Sequence, residues 1–271
     1  MWVSCVVLCV VDVRGVTQLH DVVYIVCIGS STILRFNATT HERLTDIHVK
    51  RLRDPSDIVA CEQTSQLYVA DYLECVWRVS ADGADIMRWL TKSSTGKVSP
   101  TSLSVTSTRL LVSQNTNQLI QLDSSGVELR RVQLPDDMEL PQHAIESPTT
   151  TFIVSHKSSM IQRHSDDVER THQLDHWQIS EVNVDGQVLR QFSGSRLSSL
   201  GQAPHMAIDS HGNVFVADIN NHHILLLDAQ LKLHRVIIDE HQLNYLCYRE
   251  PTGQLLVGLR DSVLAFHVLR R

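Results

Sequence analysis

The sequence predicts an all-β chain folded as a six-bladed β-propeller, with four-stranded antiparallel blades and a ring closed by the N-terminal strand. Three observations carry this. The first is a phrase spelled twice, Leu67-Tyr68-Val69-Ala70-Asp71 and Val214-Phe215-Val216-Ala217-Asp218. Each copy follows a proline and a short apolar stretch and precedes a second apolar stretch, which marks a repeat architecture. The second is spacing: Pro55, Pro100 and Pro141 stand about one propeller blade apart, at a period of ~40–45 residues. The third lies at the two ends. The last unit holds three strand signals, and the apolar run Trp2–Val11 offers a fourth strand beside Ser262–Val268 that covers an otherwise open edge.

The units follow in order. The first spans about 15–50, with strands near Val22–Ile28 and Thr32–Phe36. The second begins at Pro55 (Asp57–Cys61, Gln66–Asp71, Cys75–Ser80, Ala84–Leu90). The third begins at Pro100 (Ser102–Val105, Arg109–Ser113, Leu119–Asp123, Val127–Leu134). The fourth begins at Pro141 (His143–Glu146, Thr151–His156, Trp177–Val184, Val188–Phe192) and carries a polar insertion at about 157–176. The fifth begins at Pro204, and the sixth covers Leu243–Tyr248, Gln254–Arg260 and Ser262–Val268. Short β-branched runs cut by Gly, Asp, Asn and Ser turns dominate; only the stretch from Ser158 to His176 offers any helical period. Asp82-Gly83, Asp185-Gly186 and Ser125-Gly126 are expected to form tight hairpins with both central residues at positive φ.

Composition sets bounds. The chain has 271 residues, 42% hydrophobic and 20% charged, with a net charge of −6. One domain, 1–271, accommodates all six units. The acidic balance gives no footprint for electrostatic binding of nucleic acid. The six cysteines show no CxxC spacing, so no zinc site is expected. Cys61 and Cys75 fall at opposite ends of a strand ladder, too far apart for a disulfide. Reduced thiols indicate a cytoplasmic protein; the alternative, a secreted one, follows if residues 1–11 are the remnant of a signal peptide. No membrane span is expected.

The pattern from Pro204 to Ile224, with Ala207-Ile208-Asp209, Gly212-Asn213-Val214-Phe215-Val216-Ala217-Asp218 and Asn221-His222, resembles the NHL repeat. The second unit matches it well but has Glu74-Cys75 where Asn-His is expected. The resemblance implies a six-bladed propeller, in agreement with the six units counted independently. It also implies that ligands bind on the face formed by the blade-to-blade loops and the loops between second and third strands. NHL propellers often follow RING and B-box modules; the Cys/His spacing of those modules is absent from this sequence.

On that face the candidate binding residues are Asp71, Tyr72, Glu74, Asn115, Asn117, His156, His164, His176, Asn220, Asn221 and His222. Asp71 and Asp218, with Ser113 and Ser155 at the same place in the third and fourth units, are expected to cap turns by accepting backbone N–H groups. The histidines of the insertion could bind metal or sense pH. His172 and His176 share a face only if that stretch is helical, and a protein contact is the preferred reading.

No catalytic residue, metal site or cofactor is identified: the sequence contains no Gly-x-Ser-x-Gly and no phosphate-cradling loop. The expected function is therefore a non-enzymatic, monomeric interaction module that binds a protein partner. One alternative is a lactonase or other hydrolase with an axial divalent cation, for which Asn115, Asn117, Asn220 and Asp218 supply the atom types. Another is RNA binding through a local patch of Arg51, Arg53, Lys92 and Lys97, which the net charge disfavours.

Overall fold

The structure is a computed structural model. It describes residues 12–72, 74–91, 100–114, 116–161, 173–192, 197, 203–239 and 243–268, together with the backbone of 3–8. Strand β1 (Val3–Leu8) comes first. Blade 1 follows as β2 (Val13–Leu19), β3 (Val22–Cys27), β4 (Thr32–Asn37) and the two-residue β5 (Ile47–His48). Blade 2 is β6 (Pro55–Cys61), β7 (Gln66–Asp71), β8 (Cys75–Ser80) and β9 (Ile86–Thr91). Blade 3 is β10 (Pro100–Thr106), β11 (Arg109–Gln114), β12 (Gln118–Leu122) and β13 (Glu128–Gln133). Blade 4 is β14 (Glu139–Glu146), β15 (Phe152–Ile161), β16 (Gln173–Val182) and β17 (Val188–Phe192). Blade 5 is β18 (His205–Ile208), β19 (Val214–Asp218), β20 (His223–Leu227) and β21 (Leu233–Asp239). Blade 6 is β22 (Leu243–Arg249), β23 (Gln254–Leu259) and β24 (Ser262–His267). Every blade is a four-stranded antiparallel sheet in sequence order, and the sixth sheet contains β1, paired with β24 from Val3↔Phe266 to Leu8↔Ser262.

Six hydrophobic clusters hold the blades, and each spans two neighbours. Tyr24, Ile33 and Ile47 of blade 1 pack with Ile58, Leu67, Val69 and Trp77 of blade 2. The opposite faces of the same strands turn the other way: Tyr68, Ala70 and Val76 pack with Leu103, Leu110 and Ile120 of blade 3. The same holds between blades 3 and 4, 4 and 5, 5 and 6, and 6 and 1. Both faces of each middle strand are therefore buried. Leu67-Tyr68-Val69-Ala70 and Val214-Phe215-Val216-Ala217 are accordingly continuous apolar runs rather than alternating ones. The outer strands β13 and β17 are mostly exposed.

Five of the hairpin turns share one geometry. In Asp123–Val127, Ser147–Thr151, Asn183–Gln187, Asp209–Asn213 and Asp228–Lys232, the first amide bonds the fifth carbonyl and the fourth amide bonds the first carbonyl. The first side chain accepts the amides of the third and fifth residues at 2.8–3.2 Å, for example Asp209 Oδ1 from His211 and Asn213. This corrects the expected tight turns: only the fourth residue is left-handed, a glycine at 126, 186 and 212, Thr150 (φ 64°) and Leu231 (φ 57°). The Asp-Gly and Ser-Gly pairs thus mark a longer turn in which the side chain of the first residue satisfies backbone donors.

Two further expectations are corrected, and the unbridged state expected of Cys61 and Cys75 is found. Blade 1 has an inner strand, β2, over residues assigned to no strand in sequence, because Gly15 lets the backbone of β6 approach: a Cβ there would lie 2.8 Å from Ile58 N. The insertion in blade 4 begins and ends as a ladder, Ser158↔His176 to Ile161↔Gln173, so His176 lies on a strand and not on a helix. His164 and His172 lie outside the described residues. Cys61 and Cys75 are unbridged thiols.

Gly186 takes φ +80°, and a Cβ there would stand 1.9 Å from Gln133 O; Gly29 takes φ +61° with nothing within 4 Å. Gly29→Ala is expected to cost about 1 kcal/mol, the conformational term alone. Gly186→Ala is expected to cost roughly 3 kcal/mol or more, because backbone must also move. Urea unfolding of the two variants checks this, and equal losses would contradict it.

Candidate functional site

Each blade contributes one residue at the same level of its inner strand. The ladders set Gly15 opposite Val26, Asp57 opposite Ala70, Ser102 opposite Ser113, His143 opposite Ser155, His205 opposite Ala217 and Tyr245 opposite Gly258. In four blades the position follows the entry proline by one or two residues, and in five a register irregularity stands just before it. The irregularity turns the side chain inward.

The inner edge of each blade has no neighbouring strand, so its amides need other partners. Asp57 and His205 meet that need across a blade boundary in the same way. Asp57 Oδ2 accepts Leu103 N–H of blade 3 at 2.8 Å, and its Oδ1 accepts Ile58 N–H at 2.8 Å. His205 Nδ1 accepts Leu246 N–H of blade 6 at 3.3 Å, which puts the proton of the neutral ring on Nε2.

Asp57, His143 and His205 converge: one ligand atom of each lies within 4.8 Å of the others. His205 Nε2 stands 3.7 Å from Asp57 Oδ2. The two imidazoles stack with centroids 3.9 Å apart, and Tyr245 meets the edge of His205 at 5.2 Å. His143 Nδ1 and His205 Nε2 are buried without a hydrogen-bond partner. Burial holds the His143 ring far below the usual imidazole range, and His205 pushes it the same way. Burial raises Tyr245 to about 12 against the opposing pull of Arg14, so its phenol stays neutral.

The ring lies between two cavities. The upper one, about 470 Å³, opens on the face of the blade-to-blade loops and draws residues from all six blades, among them Arg14, Tyr72, Ser102, Lys157, Ile219 and Tyr245. The lower one, about 420 Å³, lies on the side of the hairpins between first and second strands and includes Asp57, Glu62, Glu146 and Arg249. His143 and His205 line both. Below the ring, Glu146 is buried against Arg109 (2.7 Å) and Gln121 (2.8 Å), and burial raises its carboxyl.

The residues named from sequence are dispersed. Tyr72 is exposed at the upper cavity. Glu74 pairs with Arg88 at 3.2 Å and Arg53 at 3.6 Å. Asn117 donates to Pro135 O and pins its own loop. Asn220 and Asn221 form a 3-10 turn closed by His222 at φ 60°, and Asn221 Nδ2 donates to Asp218 Oδ2 at 2.8 Å. Burial raises the Asp218 carboxyl. Asn115 and His164 lie outside the described residues, as does the side chain of His176.

Four of these placements differ from expectation. His156 is buried within β15 and is not presented on the loop face, with Nε2 2.8 Å from Ser180 Oγ. Asp71 does not cap its own turn: Oδ1 accepts Asp54 N–H at 2.9 Å from the entry loop of the blade, and Oδ2 accepts Trp77 Nε1–H at 3.2 Å. Ser155 Oγ accepts His143 N–H at 3.2 Å and so braces the inner strand, not a turn. Ser113 Oγ is buried with no hydrogen-bond partner. The ring residues Asp57, Ser102, His143, His205 and Tyr245 were missed from sequence. Their place one or two residues after an entry proline was the signal that pointed to Asp57, Ser102, His143 and His205; Tyr245 has no entry proline.

Comparison with solved structures finds β-propellers. Hydrazine synthase of Kuenenia stuttgartiensis aligns with TM-score 0.67 at 12% identity over 94% of this chain and 83% of that chain. The WD40 β-propeller domain of Doa1 aligns with TM-score 0.64 at 15% identity over 99% and 97%. The β-propeller domain of Cps50 (Swd1) from Myceliophteria thermophila aligns with TM-score 0.60 at 11% identity over 95% and 84%. At these identities the likeness shows the fold. No protein-family model matches the chain, and no curated protein matches it. Among the described residues no helix is long and apolar enough to cross a membrane.

Because the folded state holds His143 neutral, the unfolded chain binds more protons there. Stability from this group is fully present above the unfolded imidazole value of about 6.5 and is lost as pH falls below it, by at most ~1.4 kcal/mol per pH unit. Glu146 and Asp218, raised by burial, act in the opposite sense. Urea midpoints of wild type and His143→Gln between pH 7.5 and 5.5 isolate the histidine: the wild-type loss is expected to be the steeper, and parallel curves would contradict it.

Proposed function

We propose that the chain is a non-enzymatic interaction module, built of NHL-like repeats, that binds a protein segment through the upper loop face. The observation that carries this reading is the upper cavity, an open mouth to which every blade contributes. Exposed Tyr72 stands at it, and so does Lys157, whose ammonium lies 5.5 Å from the Trp177 ring centroid. Aromatic and cationic side chains at the mouth of a preformed concavity are what anchors of protein contacts use.

The alternatives draw less support from the arrangement. A calcium-dependent lactonase needs an oxygen-rich axial shell, whereas Asp218 and Asn221 are bonded to each other in a turn. For RNA, Arg53 is paired with Glu74, and Lys92 and Lys97 lie outside the described residues.

The test compares wild type with a Tyr72→Ala/Lys157→Glu variant as immobilised bait. A protein retained by wild type and then purified is expected to bind the folded variant at least about 10-fold more weakly, the loss of one interface anchor. Equal affinity for both, or retention abolished by ribonuclease, would overturn the reading.

A further inference from the structure

We propose that Asp57, His143 and His205 form a binding site for a divalent first-row transition ion of the zinc class at the waist of the propeller. Two imidazoles and one carboxylate are the donor types such ions take in three-ligand protein sites, where coordination positions stay open for water or a small ligand. The geometry is close to ready. Ligand atoms held at about 2.0–2.2 Å from one ion lie well under 4.8 Å apart. The 3.7 Å between Asp57 Oδ2 and His205 Nε2 corresponds to an angle of about 120° at such an ion. All three ligand atoms lie within 4.8 Å of one another.

Three further observations point to a cation rather than to packing alone. His143 Nδ1 and His205 Nε2 are buried without a hydrogen-bond partner, an arrangement a folded protein rarely leaves without purpose. The described residues give buried Asp57 no lysine or arginine partner, and its ion-pair neighbour is His205. Finally, the cluster lies where two cavities meet, so an ion can enter from either side without any blade opening.

The backbone already orients the carboxylate, through the amides of Ile58 and Leu103, as outer-shell bonds orient metal ligands. Coordination has one cost. The His205 proton must pass from Nε2 to Nδ1, which gives up the long 3.3 Å bond from Leu246 N–H. Ser102 and Tyr245 complete the same level.

The experiment uses the full chain stripped with chelator and titrated with Co²⁺, followed by Zn²⁺ competition. A single equivalent of Co²⁺ with visible ligand-field absorption is expected, displaced by Zn²⁺, with a rise in melting temperature. His143→Gln and His205→Gln are expected to weaken binding at least about 100-fold, while His48→Gln/His211→Gln, at exposed histidines, is expected to bind as wild type does. X-ray absorption of the zinc-loaded wild type needs no variant to fold and is expected to show nitrogen and oxygen ligands only, with imidazole scattering. Folded wild type that takes up no defined equivalent, sulfur in the shell, or a folded His143→Gln variant that binds unchanged would each overturn the proposal.

Discussion

Burial of both faces of every blade is the constraint on which the rest depends. A single four-stranded sheet of this size leaves two apolar faces open, and neither can be satisfied within the blade. Packing each face on the next blade removes them from water in turn, at roughly 25 cal/mol per Å² of apolar surface. The six clusters are six such contacts. A linear array would leave two faces exposed, whereas a ring leaves none. The last sheet, in which β1 runs beside β24, draws strands from both ends of the chain.

The ring has a second consequence, at its axis. Twisting the blades against one another brings six inner edges together, each with amides that no strand covers. Asp57 and His205 cap amides of the following blade, so the polar groups at the axis join blades just as the apolar clusters do farther out. Gly15 achieves the same closeness by having no side chain. This crowding is what gathers a carboxylate, two imidazoles and a phenol at one level. A binding position thus arises from the same geometry that closes the fold, with its chemistry chosen by one residue per blade.

Much of the architecture was legible because it is written locally. Apolar runs of four to six residues mark strands buried on both faces. An Asp, Asn or Ser followed three residues later by Gly marks the recurring turn. Entry prolines mark the step from one blade to the next. Where local signals were weak, the reading slipped. Blade 1 lacks an entry proline, and its inner strand was not seen. His156 was expected at the end of its strand, on the loop face, whereas β15 continues through polar residues to Ile161 and His156 is buried within it. The residues named for the loop face serve mostly the turns and ion pairs of their own blades.

The sequence by itself determined the number of blades, their order and the places of the turns, because each depends on residues within one repeat. Only the tertiary structure decided that Asp57, His143 and His205, separated by 86 and 62 positions in the chain, share one point in space. Their meeting follows from the angle at which the blades pack around the axis, and no local pattern encodes that angle.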